Sequence, residues 1–334
     1  MVGVICRRRS SGTLGSHGAV IHWQPTSGHG ASSSSSSSDD VCKPQLTSME
    51  TGSLDGDISI LHEEFPTLSE QDCARFREYT LENGGTEDIL IEKLKNYVQF
   101  RKMYHLDSQE SFGVNCSDEE DWEWASNVAI HAARTCKEDL IPGLVGLAKF
   151  EDRLCNLDKL PRMCFMHKNK DGSHAACKDG LPFIQYLAAR LDLKNASGDV
   201  YALAMTLYLE RKSRKVDLDG TGKGMVLMID SRRGAGWPNH LIFAIVSYLK
   251  ILTSAFVQVH PGRSAKFIIY PVPYALSYVV KVFKRWLPPA FAENVILLNG
   301  SDGIKDPAPK KLVKYVDEDI LEKMEETRFL NYNK

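Results

Sequence analysis

Residues 224–300 constrain the fold more than any other stretch of this chain. In order they read GMVLMID (224–230), PNHLIFAIVSYLKILTSAF (238–256), AKFIIYPVPY (265–274), ALSYVVKVFKRWL (275–287) and ENVILLNG (293–300). The first, third and fifth are short β-branched runs bounded by Gly and Pro, the pattern of buried strands. The two between them are too long for strands and repeat at helical spacing. A strand-helix-strand-helix-strand order requires a largely parallel sheet, because parallel neighbours are joined by crossovers. Both helices are more apolar than a plain crossover needs, which predicts a cavity for something hydrophobic.

The remainder of the chain is arranged around this core. At 334 residues and 43% hydrophobic it can bury one or two domains, and its formal charge of −2 gives no general attraction to nucleic acid. The apolar run 241–256 is broken by Ser247, Lys250 and Thr253 and is shorter than the ~20 residues a membrane span needs. Eight cysteines without regular spacing, and no secretory signal, predict reduced thiols and a cytoplasmic protein. Residues 1–57 are Ser- and Gly-rich, with seven consecutive serines at 32–38, and predict a disordered tail. Arg7, Arg8 and Arg9, with no acidic residue before Asp39, give a faint transit-peptide composition without an amphipathic helix. A start at Met49 would omit residues 1–48.

Residues 58–144 predict a helical region. Ser69 and Thr86 stand at capping positions, Gly84-Gly85 breaks the run between them, and Ser117-Asp118 opens a third helix over 118–138 that Pro142-Gly143 ends. Residues 145–334 predict the α/β domain. Within it Leu181–Asp192 supplies a strand and Asp199–Arg211 a helix or strand. The charge-dense 305–334 is expected to be a surface tail with a short helix near 317–326.

Chemistry-bearing motifs are few. Cys164-x2-His167 and His174-x2-Cys177 have the pair spacing of a zinc site, but the six residues between them contain Asp171-Gly172, which equally marks an ordinary hairpin. Gly220-Thr221-Gly222-Lys223-Gly224 lacks the Ser or Thr of a phosphate loop and precedes a strand instead of a helix. No G-x-S-x-G or HExxH occurs, and Asp230 ends an apolar strand where a lone carboxylate is usually a structural acceptor. A non-enzymatic protein without cofactor or metal is expected. On the helix 275–287, Leu276, Val279, Val280, Phe283, Trp286 and Leu287 share one face, with Lys281, Lys284 and Arg285 opposite. This is either a sheet-covering helix with a solvated basic edge, or a lid over a lipid whose basic edge meets an anionic membrane.

Four segments, in order, resemble the CRAL-TRIO family of lipid-binding and lipid-transfer proteins. Lys178-Asp179-Gly180-Leu181-Pro182-Phe183 through Ala189-Arg190-Leu191-Asp192 is similar to the family's first strand, and Val226–Asp230 to its second. Val259-His260-Pro261-Gly262-Arg263 through Phe267-Ile268-Ile269 and Pro273-Tyr274 is similar to its third, and Trp286-Leu287-Pro288 through Val295-Ile296-Leu297-Leu298 to its fourth. Residues 92–104 resemble the last helix of its N-terminal region. The family's Tyr-Pro is here His260-Pro261. The Glu and Lys of its phosphatidylinositol-binding members are here Gly262 and Asn294, so the charged contacts that select that headgroup are gone.

The resemblance implies a mixed, mostly parallel α/β sheet with crossover helices forming an apolar pocket for a hydrophobic small molecule or lipid. The pocket positions it implies are Tyr201, Met205, Met228, Ile268, Tyr270, Val279, Val282, Phe283 and Trp286, with 275–287 as the lid. Lys281, Lys284 and Arg285 would touch anionic headgroups, making the protein transiently membrane-associated. No nucleic-acid partner is expected. The alternative is a protein-interaction module of the same fold, binding a small GTPase or another protein, with no lipid cargo.

Overall fold

The structure, a computed structural model, describes residues 54–108, 113, 115–144, 153–218, 224–240, 242–274 and 292–332. The tail read over residues 1–53, the loop 220–223 and the helix 275–287 lie outside them. Among the described residues, the first helices are α1 (Leu54–Glu64), α2 (Glu70–Glu82), α3 (Glu87–Met103) and α4 (Asp118–Thr135). Helix α1 begins inside the stretch assigned to the tail. Ser69 caps α2 by accepting from the Asp72 N–H, and Ser117 and Glu120 form a reciprocal capping box at the start of α4. Helix α4 ends at Thr135, earlier than Pro142-Gly143 suggested.

The sheet follows: β1 (Cys164–Met166), β2 (Phe183–Leu187), β3 (Met225–Asp230), β4 (Ser264–Val272) and β5 (Val295–Asn299), in spatial order 1-2-3-4-5. β1 is antiparallel to β2, and every later pair is parallel. Helix α5 (Gly198–Leu218) joins β2 to β3, so the segment left as helix or strand is a long helix. Helix α6 (Ile242–Val259) joins β3 to β4. Among the described residues, no helix is long and apolar enough to cross a membrane.

Alternation along the strands gives the sheet two buried faces. On one face Ile184, Tyr186, Leu227, Ile229 and Phe267 share a core with α5, α6 and the N-terminal helices. On the other, Phe183, Val226, Met228, Ile268, Tyr270 and Leu298 pack against Leu312, Val316, Ile320 and Met324. The last two belong to α7 (Glu318–Tyr332). The C-terminal segment is therefore not a surface tail. It seals the second face, with Met324 fully buried and Tyr332 nearly so.

Polar bonds join the helical region to the sheet. Tyr97 of α3 donates to Glu210 of α5 at 3.0 Å, and Arg75 of α2 donates to the Pro261 carbonyl at 3.1 Å. Asp72 draws in Arg75 at 2.7 Å, with Arg101 and Arg263 each at 3.5 Å.

Candidate functional site

The two faces divide the residues expected to line a pocket. Tyr201 and Met205 of α5 lie in the core beneath the crossover helices, whereas Met228, Ile268 and Tyr270 point to the opposite face. All five are buried, but they do not surround one space. The family's strand positions therefore mark two surfaces instead of a single pocket wall. Val279, Val282, Phe283, Trp286, Lys281, Lys284 and Arg285 lie outside the described residues.

The α7 face is filled and polar at its margin. Gln185, fully buried, holds the His167 ring at 2.8 Å and donates to the Met324 carbonyl at 3.0 Å. At the end of β3, Asp230 accepts from Arg232 through both oxygens, and Arg232 also grips Glu325 of α7. Burial disfavours the charged guanidinium, yet the bonds from Asp230 and Glu325 outweigh it and raise its pKa further. Asp230 is thus a structural acceptor, as expected of a strand-end carboxylate.

On the helical face, β4 and β5 carry Ile269 and Leu297. Ile269 and Leu297 are paired across the two strands, pack against the main core, and remain half-buried. Deeper on the same face, Tyr186 of β2 and Tyr248 of α6 stack with ring centroids 6.4 Å apart. Burial pushes the pKa of both phenols up, with Tyr186 further raised by Tyr248, so both stay neutral donors. Ile269 and Leu297 were not singled out from sequence, although their alternation with Ile268 and Ile296 carries the signal.

The hairpin reading of 167–177 holds. Lys168 pairs with His174, and the Asn169 N–H donates to the Ser173 carbonyl at 2.8 Å. Cys164 packs on the helical face and Cys177 on the other, so the four zinc candidates do not converge. Burial raises both thiols, Cys177 to about 12, which disfavours the thiolate a metal needs. Among the described residues, no cluster of three His, Cys, Asp or Glu side chains could hold a metal ion.

The His260-Pro261-Gly262 departure also has a structural reason. The His260 Nε2 lies 2.9 Å from the Thr206 carbonyl of α5, and the ring is buried. Gly262 has φ +72° and a Cβ there would lie 3.0 Å from Arg75 Cγ, so α2 occupies the space a larger side chain would need. This turn docks the helical region.

The mostly parallel sheet and its crossover helices fit one family. The CRAL/TRIO domain family matches residues 168–325. Residues 168–325 thus resemble a CRAL/TRIO domain. That family comprises binding and transfer proteins for lipids and other small lipophilic molecules, not typically enzymes. The matched range includes the start of α7, in keeping with its place in the core. Among solved structures, the crystal structure of Sfh5 is similar, with 12% sequence identity, a TM-score of 0.41, and a match covering 69% of this chain and 65% of that one. No curated protein sequence matches.

Proposed function

We propose that the CRAL/TRIO domain binds a lipophilic ligand on the helical face of the sheet, over β4 and β5, and exchanges it at membranes. One observation carries this reading: the half-buried apolar pair Ile269 and Leu297 lies on the face where the crossovers run. Parallel pairing of β4 and β5 calls for a crossover connection between them, and crossovers in such sheets are nearly always right-handed, the hand that puts them on the side of α5 and α6. In this reading Val279, Val282, Phe283 and Trp286 supply the other apolar wall of the ligand site. A ligand between them supplies the packing contacts that an empty apolar space lacks. Met228, Ile268 and Tyr270, beneath α7, belong to the scaffold in this reading.

Lys281, Lys284 and Arg285 face the headgroups of an anionic phospholipid surface, and opening of 275–287 there lets the ligand pass. The protein works as a cytoplasmic carrier that visits membranes transiently. Gly262 and Asn294 leave no charged pair for an inositol phosphate, so the cargo is selected by its apolar body. The test is incubation with vesicles of a total lipid extract, repurification and lipid analysis. Near-stoichiometric retained lipid supports a carrier. No retained lipid contradicts it and favours a protein-interaction module.

A further inference from the structure

Arg190 follows β2 at the carboxyl end of the parallel strands, where ligands of open α/β sheets gather. It has no carboxylate partner among the described residues. Its Nη1 donates to the Asn331 side-chain oxygen of α7 at 2.7 Å, and its guanidinium lies over the Trp237 ring, 4.4 Å from the centroid. The Nε–H is buried without an acceptor. That Nε/Nη2 edge is the side of a guanidinium that grips an oxyanion with two parallel bonds. Burial, uncompensated by any acid, draws the Arg190 pKa down to about 10. Every other arginine in the neighbourhood is matched: Arg232 by Asp230 and Glu325, Arg328 by two carbonyls and Asp230, Arg162 by Asp118, and Arg233 by Asp302.

The Trp237 indole N–H beside Arg190 is likewise buried with no acceptor. The Tyr332 hydroxyl oxygen accepts from the Ala189 backbone, which leaves its own O–H proton to donate. The two rings close on Gly234, where a Cβ would meet Tyr332 at 2.6 Å and Trp237 at 2.8 Å. Asn239, at φ +48°, fixes the loop that presents Trp237. It accepts from the Gly234 N–H and donates to the Gly234 and Trp237 carbonyls, each at 2.8 Å. Tyr332 itself is 1% exposed. Three elements thus bring together two donors without acceptors, a phenol O–H and one uncompensated positive charge. Buried donors are usually satisfied, so their coincidence around an uncompensated guanidinium points to an anionic acceptor.

We propose that Arg190, Trp237 and Tyr332 form a binding site for a phosphate-type oxyanion, carried by a free solute or by a lipid headgroup. One anion accepts from the Arg190 edge, the indole and the phenol, and its charge offsets the guanidinium. Because Tyr332 and Asn331 belong to α7, the bound anion also clamps the last turn of that helix to the end of β2. This site is independent of the lipophilic pocket on the other face.

The test is calorimetric titration of the full-length protein with inorganic phosphate, in parallel with sedimentation of phosphatidic-acid and phosphatidylcholine vesicles. Arg190→Gln should weaken binding by about tenfold or more, the usual cost of losing charged hydrogen bonds. Arg190→Lys, which keeps the charge but loses the two-point edge, should also weaken it and covers the case of a misfolded Gln variant. Arg233→Gln, the same charge change at an exposed arginine, should leave it unaltered. Saturable phosphate binding that depends on Arg190 supports a soluble ligand. Arg190-dependent capture of phosphatidic-acid vesicles alone supports a headgroup. Equal behaviour of wild type, Arg190→Gln and Arg190→Lys in both arms overturns the site.

Discussion

The guanidinium of Arg232 and the carboxylate of Glu325 meet through two parallel bonds, Nη2–Oε1 at 2.6 Å and Nη1–Oε2 at 2.9 Å. Arg232 simultaneously holds Asp230, so one buried cation ties the end of β3 to α7. Removing one member of a buried pair leaves the other unpaired, typically costing about 3–5 kcal/mol. Arg232→Leu is predicted to lower stability in urea by that order, and Asp230→Leu/Arg232→Leu to recover much of it. A loss below about 1 kcal/mol for the single variant would mean α7 is not latched in this way.

His260 gives the molecule a pH dependence. Burial lowers its pKa from 6.5 to about 4, against the opposing pull of Glu210. A histidine lowered on folding contributes stability that is complete above pH 6.5 and is lost as the pH falls toward 4. Glu210, despite its burial, is held down at about 2 by Arg214 and His260, so it too weakens the fold only on acidification. Asp72, Arg75, Tyr97, Arg101 and Arg263 are the other charged or titratable groups of this joint. Wild type should lose up to about 3 kcal/mol between pH 6.5 and 4, and His260→Gln should flatten that slope. An unchanged slope in His260→Gln would assign the acid sensitivity elsewhere.

The two faces should respond oppositely to added bulk. Leu297→Trp is predicted to reduce lipid uptake severely with less than about 1.5 kcal/mol of destabilisation, because Leu297 is only half-buried. Met228→Trp should overpack the sealed core by about 1–3 kcal/mol and leave the uptake of the folded fraction unchanged. Uptake lost in Met228→Trp but kept in Leu297→Trp would move the ligand to the α7 face.

The strand and helix order of 224–300 was legible because β-branched runs and helical periods differ sharply there. The faces were not. β2 and β3 are buried at every position, so their residues carry no polar alternation to mark which side meets a ligand. That is why Met228 looked equivalent to residues of the helical face. Helix α7 was misread for a related reason: its buried stripe is Ile320, Met324, Arg328 and Tyr332, narrow and partly charged. The arginine in that stripe is satisfied only by carbonyls and Asp230, contacts that no local pattern announces.

Charge reversal of Lys281, Lys284 and Arg285 to Glu is predicted to abolish any preference for anionic vesicles. Each cation contributes roughly 1 kcal/mol near such a surface, so the three together account for about two orders of magnitude in partitioning. Co-sedimentation with phosphatidylserine-containing and neutral vesicles reads this directly. Undiminished binding by the reversed variant would assign the contact to another surface.

The central claim is that this domain holds a lipophilic cargo, and native mass spectrometry of the purified full-length protein, followed by solvent extraction, tests it most directly. The predicted result is a population heavier than the bare chain by one hydrophobic molecule, which is recovered in the extract and depleted in Leu297→Trp. A single species at the bare mass, both as purified and after incubation with vesicles, would contradict it.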